Sequence, residues 1–275
     1  MNNKKEVLPR LPGPLEAVLV LIASYFITYF ITISIAGLFN PQVIKNPQIL
    51  TTSKLFFISS QILLIILPFV YFQLKGFDLI QIFRIRPVPG DKLLWVLLLS
   101  LGILPLSDEL DRLVQLLFNF DAPDASLFAV FKTDSVTGFL IIFITISILA
   151  PVFEEFFFRG VLQQTYERKA GVINAIIFSS LFWTLFHPVL SWTVQIFILG
   201  LLLGVLSFYY RSTFPAIIIH GISNFFSLIL INMETSPVLS HYQTNGHVHW
   251  FWLVTGSVFT ILSVKKLFAE PPLSS

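Results

Sequence analysis

Long apolar runs separated by short polar stretches dominate the pattern along the chain. Eight runs are long enough to be transmembrane helices, because about 20 apolar residues cross a hydrocarbon core of about 30 Å. We predict spans at 15–39, 53–74, 92–106, 137–158, 171–190, 192–210, 214–232 and 249–267. The third run is the shortest and contains Pro105. The pattern therefore predicts an all-α fold, a polytopic membrane helix bundle of about eight transmembrane helices.

The longest polar interval follows the third span and is rich in acidic residues. Within it, residues 110–118 have the pattern of an amphipathic surface helix, and Asp121-Ala-Pro-Asp124 is typical of a turn. We expect these acidic residues to form a solvated face. We also expect His241, His247 and His249 to lie in a solvated loop rather than a metal site.

Composition supports a bilayer as the solvent of this chain. Hydrophobic residues make up 55% of the chain and charged residues 12%, whereas a soluble domain has roughly 25% charged residues. The net charge of +2 gives no reason to expect nucleic-acid binding. The absence of cysteine excludes disulfides, thiolate metal sites and cysteine nucleophiles.

The distribution of basic residues predicts the orientation of the bundle. With eight spans and a cytoplasmic N-terminus, 13 of the 17 Lys and Arg residues fall on the cytoplasmic side. Such a bias sets the topology of most membrane proteins. We therefore expect an integral membrane protein, in a bacterial inner or plasma membrane, with both termini in the cytoplasm.

Three helices in the C-terminal half carry polar residues that a lipid environment disfavours. The polar residues are Glu154, Glu155 and Arg159 on the fourth span, Trp183 and His187 on the fifth, and His220 and Asn224 on the seventh. A charged group at a helix centre costs roughly 2.5–3.5 kcal/mol on insertion scales. Glu155 and Arg159 are four residues apart and can pair, and His220 and Asn224, at the same spacing, present both side chains to one place. Glu154 lies about 100° around the helix and can face a different neighbour.

The fourth and fifth spans are predicted to form an antiparallel hairpin. Ala170-Gly171 is typical of the turn between two such helices. Glu154 and His187 are equally far from that turn along the chain, so we expect them at the same level. Hydropathy agrees with this only if the hairpin extends past the cytoplasmic membrane surface.

The residue types point to hydrolytic chemistry. A Glu/His pair shielded from bulk water can hold and deprotonate a water molecule for attack on an amide carbonyl. A second His with an Asn amide can donate hydrogen bonds to the developing oxyanion. Alternatively, Glu154, His187 and His220 could ligate a divalent metal such as zinc. The absence of an HExxH sequence excludes a zincin arrangement, and no nucleophile-elbow pattern indicates a serine hydrolase.

These three motifs, in this order on separate apolar helices, resemble the CPBP family of intramembrane proteases. That family includes type II CAAX prenyl endopeptidases and bacterial Abi-type proteins, with the pattern EExxxR, FxxxH and HxxxN. Glu154-Glu155…Arg159 and His220…Asn224 match the first and third motifs, whereas Trp183 stands where the second motif usually has Phe. We assign Trp183 to packing in the wall of the site. The resemblance covers roughly 137–232, so we divide the chain into N-terminal helices and outer loop (1–136), this core (137–232) and a C-terminal loop, helix and tail (233–275).

The resemblance implies a role for each site residue. Glu154 would be the general base that activates water, assisted by His187. His220 and Asn224 would stabilise the oxyanion or hold the water, and Glu155 with Arg159 would orient the site. The resemblance also implies a membrane-embedded or lipid-proximal peptide or protein as substrate, with the lipid bilayer as surroundings. It leaves open whether a metal is used, and it does not identify a substrate or show that one would be prenylated.

Other functions are compatible with the same residues. The polar residues could be structural glue in a non-proteolytic immunity or scaffold protein of the same family. Glu154 and Glu155 could also be an interfacial pair with Arg159 as an anchor, and His187 could mark a helix end. A transporter could use the buried Glu and His as a proton relay, but the repeats and broken helices typical of transporters are not evident.

Overall fold

The computed structural model describes residues 10–45, 54–120, 128–187, 189–233 and 239–272, apart from the side chain of Leu55. Within these ranges the protein is an all-α polytopic bundle with one small β-hairpin. Its helices are α1 (Pro14–Phe39), α2 (Gln42–Lys45), α3 (Lys54–Leu74), α4 (Leu79–Ile82), α5 (Gly90–Phe118), α6 (Val136–Ala170), α7 (Val172–Leu185), α8 (Thr193–Tyr209), α9 (Phe214–Asn232), α10 (Leu239–Tyr242) and α11 (Trp250–Leu267). A 3₁₀ turn covers Leu190–Trp192, and the hairpin pairs β1 (Gln243–Thr244) with β2 (His247–Val248).

Six of the described helices are long and apolar enough to cross a membrane. These are α1, α3 from Phe56, α5, α6, α8 from Leu190, and α9. Helix α7 is apolar but has only 14 residues, and α11 is not among the six. The predicted integral membrane bundle is therefore confirmed, whereas the predicted number of eight spans is not.

The long helix α6 contains two π-helical segments, Ile144–Leu149 and Phe156–Gln163. Pro151 explains the first, because proline has no N–H and its ring crowds the preceding turn. The N–H of Ala150 bonds to the carbonyl of Thr145, five residues back. In this pattern the carbonyl of Ile146 would accept a hydrogen bond from the N–H of residue 151. Because residue 151 is proline, it has no N–H to donate. The wider turns accommodate the proline and leave this carbonyl for another helix.

The turn between α6 and α7 lies where the sequence predicted it. Helix α6 ends at Ala170 and α7 begins at Val172, with Gly171 at φ +82° and ψ 163° between them. Only glycine adopts this backbone conformation readily. The fourth predicted span, however, extends beyond residue 158 to the end of α6, so the polar residues before the turn are helical.

The third predicted span is wrong in its extent. Helix α5 continues through Pro105 to Phe118, so spans 92–106 and the surface helix 110–118 are one helix. Packing tolerates the proline, because Pro105 lies against Gly256 of α11, where a methyl group would come within 2.7 Å of its ring.

The prediction that the acidic residues form a solvated face is also wrong for Asp108 and Glu109 on α5. Tyr242 Oη donates to Asp108 at 2.7 Å, and His247 Nδ1 lies 2.8 Å from Glu109. Tyr242 at the end of α10 contacts Asp108, and the β-hairpin that follows contacts Glu109. Asp121 and Asp124 lie outside the described residues.

The fifth predicted span, 171–190, is too long. Helix α7 ends at Leu185, and His187 follows it in an irregular segment. The sequence explains this end, because Pro188 disfavours helical backbone at the residue before it.

Candidate active site

A buried ionic cluster joins α6 to α9. The side chains of Glu155 and Arg159 are fully buried, and that of His220 is 3% exposed. Arg159 Nη1 donates to Glu155 Oε1 at 3.1 Å, and His220 Nδ1 lies 2.9 Å from the same oxygen. An unpaired charge here would cost several kcal/mol. The predicted pair four residues apart is confirmed, and α9 supplies its third member.

Glu154 faces a different neighbour from Glu155. Its Oε2 accepts a hydrogen bond from Trp183 Nε1 at 2.5 Å. Glu154 is only partly buried, whereas Glu155 is sealed among its partners. Glu154 and Glu155 therefore point in different directions from α6, as the predicted rotation of about 100° between adjacent helical residues requires. Of the two carboxylates, only that of Glu154 is partly exposed.

Trp183 lies at the centre of the candidate site. Its ring meets those of His187 and His220 edge-on, with centroids 5.0 and 5.2 Å apart. The Arg159 guanidinium carbon lies 4.4 Å from its centroid on the ring face, a cation–π geometry. Trp183 therefore does more than the wall packing expected from the sequence, because one indole contacts all three helices of the site.

His187 is held by the end of its own helix. Its Nδ1 lies 3.0 Å from the carbonyl oxygen of Trp183. A carbonyl only accepts hydrogen bonds, so Nδ1 carries a proton and Nε2 of the neutral ring has the lone pair. Glu154 and His187 both contact the Trp183 indole, and their common level stays a prediction. The predicted extension of the hairpin beyond the membrane surface stays a prediction.

Asn224 compensates for the irregularity of α6. Its Nδ2 donates to the carbonyl of Ile146 at 2.8 Å, the carbonyl that Pro151 leaves without a helical donor. Gly221 makes the approach possible, because a methyl group there would come within 2.6 Å of the Ser147 carbonyl oxygen. Asn224 thus positions α9 against the turn that precedes the glutamates, and its amide has a second N–H available.

Comparison with known proteins finds a family that the core of the chain resembles. Residues 136–226 match the family model described as type II CAAX prenyl endopeptidase Rce1-like. This segment, the Rce1-like domain, is similar to that family, which supports the predicted resemblance to the CPBP family. It occupies about a third of the chain and contains all three polar motifs. No curated protein and no solved structure gave a significant match.

The Rce1-like family is a protease family, and the apolar helices support an integral membrane protein. The boundaries of the Rce1-like domain lie close to the core predicted at 137–232. The comparison does not assign roles to individual residues, so those roles stay predictions.

The Rce1-like domain, as described here, does not present a ready three-residue metal site. Among the described residues, no group of three or more His, Asp or Glu side chains is arranged to hold a metal ion. Nδ1 of His220 faces Glu155, and Nδ1 of His187 faces a backbone carbonyl. These contacts leave Nε2 of each histidine as the ring nitrogen that could bind a ligand.

A second set of polar contacts extends along α6 from Arg159 toward the helix end. Arg159 Nη2 donates to the Gly200 carbonyl at 3.4 Å, and Gln163 Nε2 to the Gly204 carbonyl at 3.0 Å. Glycine is needed on α8, since a methyl group at Gly204 would come within 2.9 Å of Gln163 Oε1. These bonds, four residues apart on both helices, fix the rotation of α6. The sequence shows this relationship only as a shared four-residue spacing, between Arg159 and Gln163 on α6 and between Gly200 and Gly204 on α8. The three motifs include neither Gln163 nor the two glycines.

Tyr25 is a candidate site residue that the sequence did not reveal. It lies on α1, outside the Rce1-like domain, and its ring stacks on Phe186 at 4.5 Å. It also lies within electrostatic range of Glu154. No motif marks this residue, because its proximity arises only when α1 packs against α6.

Proposed function

We propose that the protein is an intramembrane endopeptidase that hydrolyses a peptide bond of a membrane-embedded or lipid-proximal substrate. We further propose that water attacks the peptide bond directly, without a covalent intermediate. The observation that carries this proposal is the difference between the two adjacent glutamates. Glu155 is sealed in an ion pair, whereas Glu154 is accessible and shares the Trp183 indole with His187.

In the first step, Glu154 accepts a proton from a water molecule that His187 Nε2 helps to orient. The water oxygen then forms a bond to the carbonyl carbon of the substrate. Trp183 holds Glu154 Oε2, so Oε1 is the oxygen that meets the water. A positioned general base of this kind contributes roughly 10²–10⁴-fold to the rate.

The negative charge that develops on the carbonyl oxygen is stabilised from α9. The remaining N–H of Asn224 and the Nε2–H of a protonated His220 are the proposed donors. Glu155 supports that role by accepting from His220 Nδ1. Glu154 then returns its proton to the leaving nitrogen as the C–N bond breaks, giving a carboxylic acid and an amine.

The experiment compares membranes of cells that express the wild-type protein, Glu154→Gln or Glu270→Gln. Glu270→Gln is the matched control, because it removes a carboxylate whose side chain is 73% exposed and pairs with Lys92. Mass spectrometry of protein termini should find new cleavage products with wild type and Glu270→Gln only. The metal content of the purified wild-type protein is measured alongside this comparison.

Two outcomes would contradict the proposal. The same products from Glu154→Gln cells would remove Glu154 from the mechanism. If no variant gave products and Glu154→Gln complemented a deletion phenotype, the non-proteolytic immunity or scaffold role would be favoured.

A further inference from the structure

Tyr25 brings α1 to the candidate active site. Its ring stacks on Phe186, with centroids 4.5 Å apart and ring planes inclined by 30°. The next residue is His187, whose ring meets that of Trp183, and the Trp183 indole donates to Glu154. Glu154 in turn lies within electrostatic range of Tyr25. Tyr25 therefore completes the set of residues around this carboxylate, and it is the member that lies outside the Rce1-like domain.

The packing of α1 sets the direction in which Tyr25 points. Leu21, four residues before it, is fully buried, and Thr28, three residues after it, is 3% exposed. Residues three and four apart share a helix face, so Tyr25 lies on the face of α1 that packs into the bundle. The neighbouring Phe26, about 100° around the helix, is 60% exposed. Tyr25 itself is only partly buried, so it lies at the edge of the packed face.

The hydroxyl of Tyr25 is unpaired and accessible. It makes no hydrogen bond to any described residue, yet it is not among the fully buried polar atoms that lack a partner. Phenylalanine would stack on Phe186 equally well and would carry no hydroxyl that needs a partner. Packing therefore explains the ring of Tyr25 but not its hydroxyl, which is a hydrogen-bond donor that a ligand could reach.

A peptide bound for hydrolysis must approach Glu154, because the water that this carboxylate activates attacks the peptide carbonyl carbon. Such a peptide brings N–H and C=O groups into a site shielded from bulk water, where each of them needs a partner. Trp183 occupies Oε2 of Glu154, and no hydrogen bond joins Glu154 to Tyr25. The phenol O–H thus remains free to donate to a carbonyl of the peptide.

We propose that Tyr25 is a substrate-binding residue, whose hydroxyl donates a hydrogen bond to a backbone carbonyl of the peptide beside the scissile bond. This inference rests on the proposed endopeptidase function and adds α1 to the active site. The stack on Phe186 preorganises the ring, so little rotamer freedom is lost on binding. Every peptide has backbone carbonyls, so the contact aligns the main chain with Glu154 rather than selecting a particular side chain.

The first measurement asks whether a peptide lies against residue 25, independently of cleavage. In full-length Glu154→Gln protein, Tyr25 or Tyr29 is replaced by p-azidophenylalanine, which carries a photoreactive azide where tyrosine has its hydroxyl. Tyr29 is the matched control, because it lies one turn further along α1, is 47% exposed and has its ring against Phe30. Cells are irradiated, and mass spectrometry identifies the peptides crosslinked to the purified protein.

Position 25 should capture peptide segments that position 29 does not. If cleavage sites are mapped in wild-type membranes, the captured segments should span them. The same capture at both positions, or no peptide captured at position 25, would overturn the proposal.

The second measurement compares the steady-state kinetics of wild type, Tyr25→Phe and Tyr29→Phe on a synthetic peptide that spans a cleavage site mapped in wild-type membranes. Tyr25→Phe should raise KM by roughly 2–10-fold, the effect of one hydrogen bond between uncharged groups. Its kcat should stay near the wild-type value, because binding lost equally from the ground and transition states acts on KM. Tyr29→Phe should keep both constants, and the Tm of both variants should match wild type.

A wild-type KM in Tyr25→Phe would overturn the proposed contact. A fall in kcat at unchanged KM would also overturn it, because Tyr25 would then act on the catalytic groups rather than on the bound peptide.

The two measurements separate this proposal from the proposed function. If wild-type membranes contain no cleavage products while position 25 alone captures a peptide, hydrolysis is contradicted and the peptide contact is supported. If wild type cleaves its substrate but position 25 captures no peptide and Tyr25→Phe keeps the wild-type KM, the contact is contradicted and hydrolysis is supported.

Discussion

The indole nitrogen of Trp183 on α7 lies 2.5 Å from Oε2 of Glu154 on α6 and donates a hydrogen bond to it. Indole N–H is only a donor, so the bond holds the carboxylate through one oxygen and leaves the other available. Trp183 is itself 2% exposed, which keeps bulk water from competing for the bond. In the family pattern that the motifs resemble, Phe usually stands at this position and could not make this contact.

Trp183→Phe should therefore lower the cleavage rate while the protein still folds. Phenylalanine keeps an aromatic ring beside His187 and His220 but removes the donor to Glu154. A hydrogen bond to a charged group contributes about 1.5–3 kcal/mol, so we expect kcat to fall by roughly 10–100-fold. Trp95→Phe on α5 is the control and should retain the wild-type rate. Equal rates for Trp183→Phe and Trp95→Phe would show that the bond does not position the carboxylate.

Asn224→Ala should destabilise the bundle, because it leaves the Ile146 carbonyl without a donor. A buried acceptor that loses its partner costs about 1–3 kcal/mol. Asn174→Ala is a matched control, since Asn174 Nδ2 donates to the Ala170 carbonyl at an exposed position. Thermal unfolding in detergent should show a lower Tm for Asn224→Ala than for Asn174→Ala. A smaller loss in Asn224→Ala than in the control would contradict the proposed bracing of α6.

The Glu155–Arg159 pair should show strong coupling in a double-mutant cycle. Glu155→Gln or Arg159→Met alone leaves one charge buried without its partner, which typically costs about 3–5 kcal/mol. The double variant removes both charges and should be more stable than the sum of the single losses predicts. Denaturant unfolding of the four proteins measures the coupling energy. Additive losses would mean that the two side chains are stabilised independently.

Docking of the β-hairpin on α5 should weaken at alkaline pH. Burial and the neighbouring Asp108 raise the pKa of Tyr242 above its ordinary value of about 10. A raised pKa in the folded protein means that the stabilisation is complete below pH 10 and is lost as pH rises above it. The Tm difference between wild type and Tyr242→Phe should thus be constant from pH 7 to 9 and shrink above pH 10. A difference that stays constant up to pH 11.5 would contradict this role.

Local spacing predicted the parts of the site that one helix determines. The four-residue separation of Glu155 and Arg159 was enough to predict their ion pair, and Gly171 was enough to place the turn after α6. The position of Pro105 was misleading, because the neighbouring helix α11 compensates for a proline that a sequence pattern interprets as a helix end.

Contacts between helices account for most of what the sequence could not show. Tyr25 is far from the motifs along the chain, so nothing local marks its approach to Phe186 and Glu154. The sequence predicts Asn224 at the substrate or as polar glue between helices, but it does not identify the partner, because the π-helical turn that frees the Ile146 carbonyl depends on the packing of α6. Eight spans are not confirmed, because α7 is short and α11 is not among the six spanning candidates of the described helices.

The central claim is that Glu154 is the general base and that Glu155 is not. The most direct measurement is the cleavage rate of purified Glu154→Gln protein on a substrate identified from the membrane comparison, with its Tm measured in the same preparation. Our account predicts an unchanged Tm and a rate lower than wild type by at least about 10²-fold. A folded Glu154→Gln protein that cleaves at the wild-type rate would contradict it.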